Sequence, residues 1–262
     1  MKKMKMFAGI LAGLMMCVAA AGCGGSTSSN DKKAADSKKE LIVGTNPSFA
    51  PFEFTDKKDG KVQGFDIDLI NALAKKAGYE KVTIKSIAFD GLIPSLESGN
   101  IDVSITGMSI TDARKQKVNF TDPYYESGLM ALVKKDNDAI KNLDDLKGKT
   151  IAVQIGTTGA KYAESIEGAK VKTFDSSDLA CLELKNGGAD AVISDLPVLQ
   201  YFLKQGGSAY AKSVGTPKKG DFYGIATAKK NKELCDKLNK ALAELKKDGE
   251  YQKIYDKWFK AE

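Results

Sequence analysis

From Glu40 onward, short apolar runs alternate with longer stretches whose apolar positions recur every three or four residues. Leu41-Ile42-Val43 reads as a buried strand, and Asp59-Gly60 suits a hairpin turn before Gly64. At Asp66 the period changes. Ile67, Ile70, Leu73, Ala74 and Ala77 share one helical face, acids fill the first turn, and Gly78 ends it. The alternation continues with strands predicted over 82–87, 101–105, 151–153 and 191–193, and helices over 92–97, 177–184 and 196–203. Such an order implies parallel sheets flanked by helices.

The pattern contains an internal echo. Residues 99–107 (Gly-Asn-Ile-Asp-Val-Ser-Ile-Thr-Gly) parallel 187–195 (Gly-Gly-Ala-Asp-Ala-Val-Ile-Ser-Asp), each preceded by a leucine-bearing helix. Two α/β lobes of similar construction produce this echo, and so does a common helix-to-strand turn used twice. Under the first reading, Thr106-Gly107 and Ser194-Asp195 sit at the carboxyl ends of equivalent strands, where open α/β sheets bind ligands. An aromatic pair followed by glycine and an apolar strand occurs at Tyr124-Tyr125 and again at Phe222-Tyr223. These read as two crossings between lobes, which form a hinge. The resulting division is 40–127 with 222–262 for a discontinuous first lobe, and 128–221 for the second.

The first 39 residues lack this pattern. Lys2, Lys3 and Lys5 precede a 17-residue uncharged run from Met6 to Gly22. The run is short for a bilayer span and has the form of a secretory signal, so 1–22 is read as a leader. Ala20-Ala21-Gly22-Cys23 resembles a bacterial lipobox, which makes Cys23 the lipidated (palmitate-bearing) new N-terminus; plain cleavage after a small residue is the alternative. Residues 23–39 then form a flexible Gly/Ser/Lys/Asp tether. This places the body outside the cytoplasm, held at the cell membrane by its lipid. Cys181 and Cys235 lie in apolar helical patterns and read as buried free thiols.

Composition removes whole classes of chemistry. Of 262 residues, 42% are apolar and 28% charged, a soluble globular balance. Histidine is absent, which excludes Ser-His and Cys-His nucleophile pairs and His-ligated zinc or haem. The formal charge of +6 falls to +3 without the three leader lysines, too balanced for nucleic acid. Gly148-Lys149-Thr150 ends like a phosphate-binding loop, but Leu143 stands where its first glycine is required. No cofactor or metal is implied. The one arginine, Arg114, stands against 39 lysines. A guanidinium supplies a planar fork matched to a carboxylate, which an ammonium does not.

The remaining candidates point to a small zwitterion. Gly156-Thr157-Thr158-Gly159 opens a helix and offers free N–H groups and hydroxyls to an anion. With Arg114 it can clamp one carboxylate, while Asp195 and the Gly107 carbonyl suit an ammonium. Plain structural readings exist as well: Asp195 or Thr158 as helix N-caps, Arg114 as a surface cation. Phe49 and Phe89 follow predicted strands and can wall a cleft, whereas Phe52 and Phe54 read as core.

Gly64-Phe65-Asp66-Ile67-Asp68-Leu69 with Leu73, Ala74 and Ala77, residues 45–54, Phe89-Asp90-Gly91-Leu92, residues 107–114 and Ile254-Tyr255-Asp256-Lys257-Trp258-Phe259 resemble, in order, the blocks of the polar amino-acid branch of bacterial solute-binding proteins, family 3. That resemblance implies a periplasmic-binding-protein type II fold, two α/β lobes joined by two hinge crossings. It implies a monomer that closes on an L-amino acid and passes it to an ABC permease with a cytoplasmic ATPase. By position, Arg114, Ser109 and Thr158 serve the α-carboxylate, and Asp195 and Gly107 the α-ammonium; Thr157 belongs to the anion site at the helix start. Phe49 and Phe89 sandwich the side chain, and Asn46 and Gln154 reach its tip. Asn46 stands where binders of cationic ligands often have Asp, which puts glutamine or another neutral polar amino acid first. Arginine, lysine, histidine and cystine are alternatives, kept open by Glu53. An enzyme on the same scaffold, resembling the dehydratases among the relatives, is the rival from another class.

Overall fold

The structure, a computed structural model, describes residues 40–260. The leader, Cys23 and the tether lie outside the described residues. The chain runs β1 (Glu40–Thr45), β2 (Ser48–Phe49), β3 (Glu53–Thr55), β4 (Val62–Gln63), α1 (Phe65–Lys76), β5 (Lys81–Ser86), α2 (Leu92–Ser98), β6 (Val103–Ser104), α3 (Asp112–Lys117) and β7 (Val118–Phe120). It continues as β8 (Tyr125–Lys134), β9 (Thr150–Gln154), α4 (Thr158–Glu164), β10 (Lys170–Phe174), α5 (Ser177–Asn186), β11 (Ala191–Asp195), α6 (Leu196–Lys204), β12 (Ala211–Tyr223), β13 (Ala226–Ala228), α7 (Lys232–Asp248) and α8 (Glu250–Phe259). Among the described residues no helix is long and apolar enough to cross a membrane.

Two five-stranded sheets carry the fold, in the orders β5-β1-β6-β13-β7 and β10-β9-β11-β8-β12, with a small sheet β2-β3-β4 beside the first. The sequence pattern implies parallel sheets, and the structure corrects this. In each sheet four strands run one way and a single strand runs against them: β13 is antiparallel to β6 and β7, and β8 to β11 and β12. The reason lies in the connections. Parallel neighbours need a crossover helix, which α1, α4 and α5 supply. β8, β12 and β13 instead follow or precede the passage between sheets and join without one.

That passage is made by β8 outward and β12 back. The two strands pair from Tyr125↔Tyr223 to Lys134↔Ala211, with irregular register around residues 214–221. Where they enter the first sheet, an aromatic cluster packs around Phe52, which is fully buried and meets Tyr125, Tyr223 and Phe259 at ring-centroid distances of 4.8, 5.2 and 5.3 Å. The second sheet is covered on both faces, by a cluster including Leu146, Ile151, Val153 and Ala163 and by another including Leu132, Cys181, Leu184 and Leu199. Cys181 and Cys235 are buried free thiols, and burial pushes the Cys181 thiol up to about 12.

The start of α1 explains Gly64. The first N–H groups of a helix lack internal acceptors. Here Phe65 N–H donates to the Pro51 carbonyl and Asp66 N–H to the Phe52 carbonyl, at 2.9 Å each. To bring the chain that close, residue 64 adopts φ 138°, and a Cβ there would fall on the Phe52 carbonyl. We expect Gly64→Ala to cost about 2–4 kcal/mol, read as a lower urea midpoint at unchanged m-value; an unaltered midpoint would mean that the approach of residues 52 and 64 is not needed for the fold.

Candidate functional site

β6 and β11 end at one cleft between the two sheets' halves. All ten residues singled out from the sequence border it: Asn46, Phe49, Phe89, Gly107, Ser109 and Arg114 from the half built on the first sheet, and Gln154, Thr157, Thr158 and Asp195 from the second. Glu53 and Thr106 line it too.

Arg114 is half-buried in α3, whose N-cap is Thr111, the hydroxyl oxygen accepting the Arg114 N–H at 3.2 Å. Its Nη1 donates to the Ser109 carbonyl at 2.8 Å and its Nη2 to the Gly156 carbonyl at 3.0 Å. The guanidinium lies 5.2 Å from the centre of the Phe89 ring. Burial pushes its pKa down, and the charges of Asp221 and Asp195 oppose that shift. A surface cation it is not.

The hydroxyls are divided between capping and the cavity. The N-cap of α4 is Thr157, not Thr158: Thr157 Oγ1 accepts from Ala160 N–H at 3.1 Å. Thr158 is thereby released. Its Oγ1 donates to Asp221 at 2.9 Å and lies 3.4 Å from Ser109 Oγ in the opposite half. Asp195 occupies the N-cap position of α6, but its carboxylate caps nothing and instead accepts from Ser127 Oγ at 3.1 Å. Burial, then the nearby Asp221 charge, pushes its carboxyl up to about 7; Tyr223, then Ser127 and Arg114, pull it back.

At the other end, Asn46 and Gln154 hold each other. Gln154 Nε2 donates to Asn46 Oδ1 at 2.9 Å and to the Asp175 carbonyl at 3.2 Å, while its Oε1 accepts from Ser177. Asn46 Nδ2 donates to the Ile87 carbonyl. Both amides are thus engaged in joining the two halves. The group with spare capacity is Glu53, wholly buried, whose Oε1 accepts from Thr106 Oγ1 at 2.8 Å and whose Oε2 has no donor.

Gly107 sits at φ 54° with its N–H turned inward to Asp66 Oδ2 at 2.8 Å. A Cβ there would come within 2.6 Å of Phe49, so the missing side chain is what lets the Phe49 ring stand against the cavity floor. Asp66, Asp221 and Ser127, bonded to Gly107, Thr158 and Asp195, are neighbours of the site that the sequence pattern does not pick out.

The profile of the bacterial extracellular solute-binding proteins, family 3, matches residues 41–261. The chain belongs to that family. Among its relatives, a probable histidine-binding protein of Campylobacter jejuni is 39% identical over 88% of this chain and 90% of its own length. ABC transporter arginine-binding protein 1 of Escherichia coli is 42% identical over 86% of this chain and 93% of its own. Of solved structures, an ancestral arginine-binding protein bound to arginine has a TM-score of 0.82 at 51% identity, covering 85% of this chain and 99% of that one. An ancestral arginine-binding protein bound to glutamine has 0.79 at 50%, covering 86% and 99%. The family's type II periplasmic binding protein architecture is the one described above.

Asp66 and Asp195 carry a consequence for stability. Burial holds the Asp66 carboxyl at about 6 and the Asp195 carboxyl at about 7, both above the ordinary aspartate value. The folded protein therefore keeps protons that an unfolded chain gives up near pH 4, and the associated stability is lost as pH rises through 6 and 7. The thermal midpoint of the ligand-free protein should fall from pH 5 to pH 8, and Asp195→Asn should remove the part of the fall nearest pH 7; identical curves for the two proteins would contradict the raised proton affinity of buried Asp195.

Proposed function

We propose that the protein captures a single L-amino acid with a cationic side chain, arginine before lysine or histidine, and delivers it to an ABC permease. The observation that carries this is a closed cavity with a guanidinium on one half, a carboxylate on the other, and a second carboxyl, Glu53, at a separate point of its lining. Arg114, Ser109 and Thr158 take the α-carboxylate, with Thr157 capping the helix that presents Thr158, and Asp195 with the Gly107 carbonyl takes the α-ammonium. Phe49 and Phe89 enclose the aliphatic stem.

Glu53 moves the side-chain preference. Asn46 alone puts glutamine first, but the Asn46 and Gln154 amides are committed to each other, and Glu53 keeps an oxygen without a donor. Relatives named for arginine and histidine point the same way. Glutamine is the second reading, favoured by the glutamine-bound ancestral structure. Turnover is not part of the proposal, because the relatives are described as binding proteins and the chain has no histidine.

Capture works by closure. The β8 and β12 crossings act as the hinge between 40–127 with 222–262 and 128–221. The ligand draws the halves together because Asp195 and Thr158 meet it only when shut. The leader directs export, Cys23 carries the lipid, and 23–39 tethers the body near its permease.

Titration calorimetry with arginine, lysine, histidine, glutamine and cystine tests the reading. We expect arginine to bind tightest and to be recovered unchanged. Arg114→Ala or Asp195→Ala should weaken it by about 2–5 kcal/mol, roughly 30-fold to several thousand-fold, with the circular dichroism spectrum retained. Glu53→Gln should lower affinity for arginine more than for glutamine. Undiminished arginine affinity in the Asp195 variant would defeat the assignment.

A further inference from the structure

Glu53 and Asp66 come from β3 and from the first turn of α1, and both are wholly buried. The donors around them can be counted. Asp66 Oδ2 accepts from the Gly107 N–H and the Tyr124 hydroxyl, each at 2.8 Å. Glu53 Oε1 accepts from the Thr106 hydroxyl. Glu53 Oε2 and Asp66 Oδ1 receive no donor from any other group, yet the two carboxyls are in hydrogen-bonding contact with each other. Two ionised carboxylates have no hydrogen to place between them and repel. We propose that Glu53 and Asp66 share one proton, and that a cationic side chain entering the cavity displaces it to solvent, so that the pair weighs a cation against a proton at one position.

The proton belongs to Glu53. Asp66 lies in the first turn of α1, where the helix dipole favours a negative charge, and it receives two donors; Glu53 receives one. Burial, and then the Asp66 charge, holds the Glu53 carboxyl well above the ordinary range. The groups facing the pair supply no cation. Thr106 and Gly107 are uncharged, Tyr124 beside Asp66 and Tyr251 on α8 are phenols whose pKa burial raises, and no lysine or arginine contributes to either carboxyl. Across the cavity stand Arg114 and Asp195.

This inference rests on the cationic reading of the site. On binding, the Glu53 O–H bond breaks, the proton passes to water and buffer, and the carboxylate left behind faces the ligand cation. One positive charge enters as one leaves, so the cavity keeps its net charge. A neutral side chain leaves the proton in place. Asp195 also gives up protons when an α-ammonium binds, but it does so equally for arginine and for its neutral isostere citrulline.

The test is calorimetry near pH 7 in phosphate, HEPES and Tris, whose different ionisation heats report the number of protons released. Arginine should release about one proton more than citrulline, and its affinity relative to citrulline should rise about tenfold per pH unit between pH 5.5 and 7. In Asp66→Asn the new amide donates to Glu53, which needs no proton; arginine should then release about one proton fewer than in the unaltered protein. Glu53→Gln should give the same loss. Tight arginine binding with proton counts unchanged by Asp66→Asn overturns the proposal and leaves the functional reading standing. Failure of arginine to bind at all overturns both.

Discussion

The backbone of residues 106–110 is the part on which the site depends. Asp66 draws the Gly107 N–H inward, Thr106 is bonded to Glu53 below it, and Asn46 N–H reaches the Thr106 hydroxyl from the neighbouring strand end. The crossing strand fastens the other side: Ile110 N–H donates to the Phe222 carbonyl at 2.7 Å, and Gly224 N–H to the Met108 carbonyl at 3.1 Å. A segment pinned from below and from the side cannot relax independently of either. A buried polar array of this kind is costly when incomplete and rigid when satisfied. It holds the backbone around Gly107 from two sides.

The same segment links the cavity to the passage between halves. Ser109 forms a β-bridge with Tyr223, the last residue of β12, while Tyr223 pairs with Tyr125, the first residue of β8. The groups of the first half that face the cavity are consequently anchored on the strands that cross between the halves. From the second half, Asp195 is held by Ser127, itself on β8. One strand thus carries a contact of the second half's acid, and its partner strand supports the hydroxyl of the first. The crossing strands and the charged groups of the two halves are in this way joined by direct contacts, which is the coupling the proposed closure requires.

Much of this was legible in the chain because it rests on local signals. Alternating periods gave the helices and most strands, and the paired helix-strand turns placed Gly107 and Asp195 at equivalent strand ends. Arg114 stood out by being unlike every other cation. What stayed hidden depends on long-range pairing. Residues 53, 66, 107 and 124 are far apart in sequence, so Asp66 looked like an ordinary first-turn acid, and the contact of Glu53 with it was not visible. The antiparallel strands could not be foreseen from periods, because their direction is set by where the chain crosses. Asp221 lies in a run of lysine and glycine that reads as a solvated loop. The N-cap fell to Thr157 because two adjacent hydroxyl residues are equivalent as sequence, and only the geometry of the preceding strand end separates them.

Arg114 shows why one guanidinium is used in a chain that elsewhere relies on lysine. Its two terminal nitrogens donate to carbonyls in opposite halves, Ser109 in the first and Gly156 in the second, while its flat face lies over Phe89. An ammonium concentrates its charge on a single atom and, being more strongly hydrated, loses more on burial. It could approach one of those carbonyls, but not span both and stack at once. The fork also remains charged despite the burial that lowers its pKa, because its ordinary value lies so far above neutrality. A lysine in that position, starting lower, would be the more easily neutralised by the same burial, and the cavity would lose the positive pole against which Asp195 is set. The requirement is thus for a cation that bridges, stacks and resists desolvation together, and among the amino acids only arginine meets it.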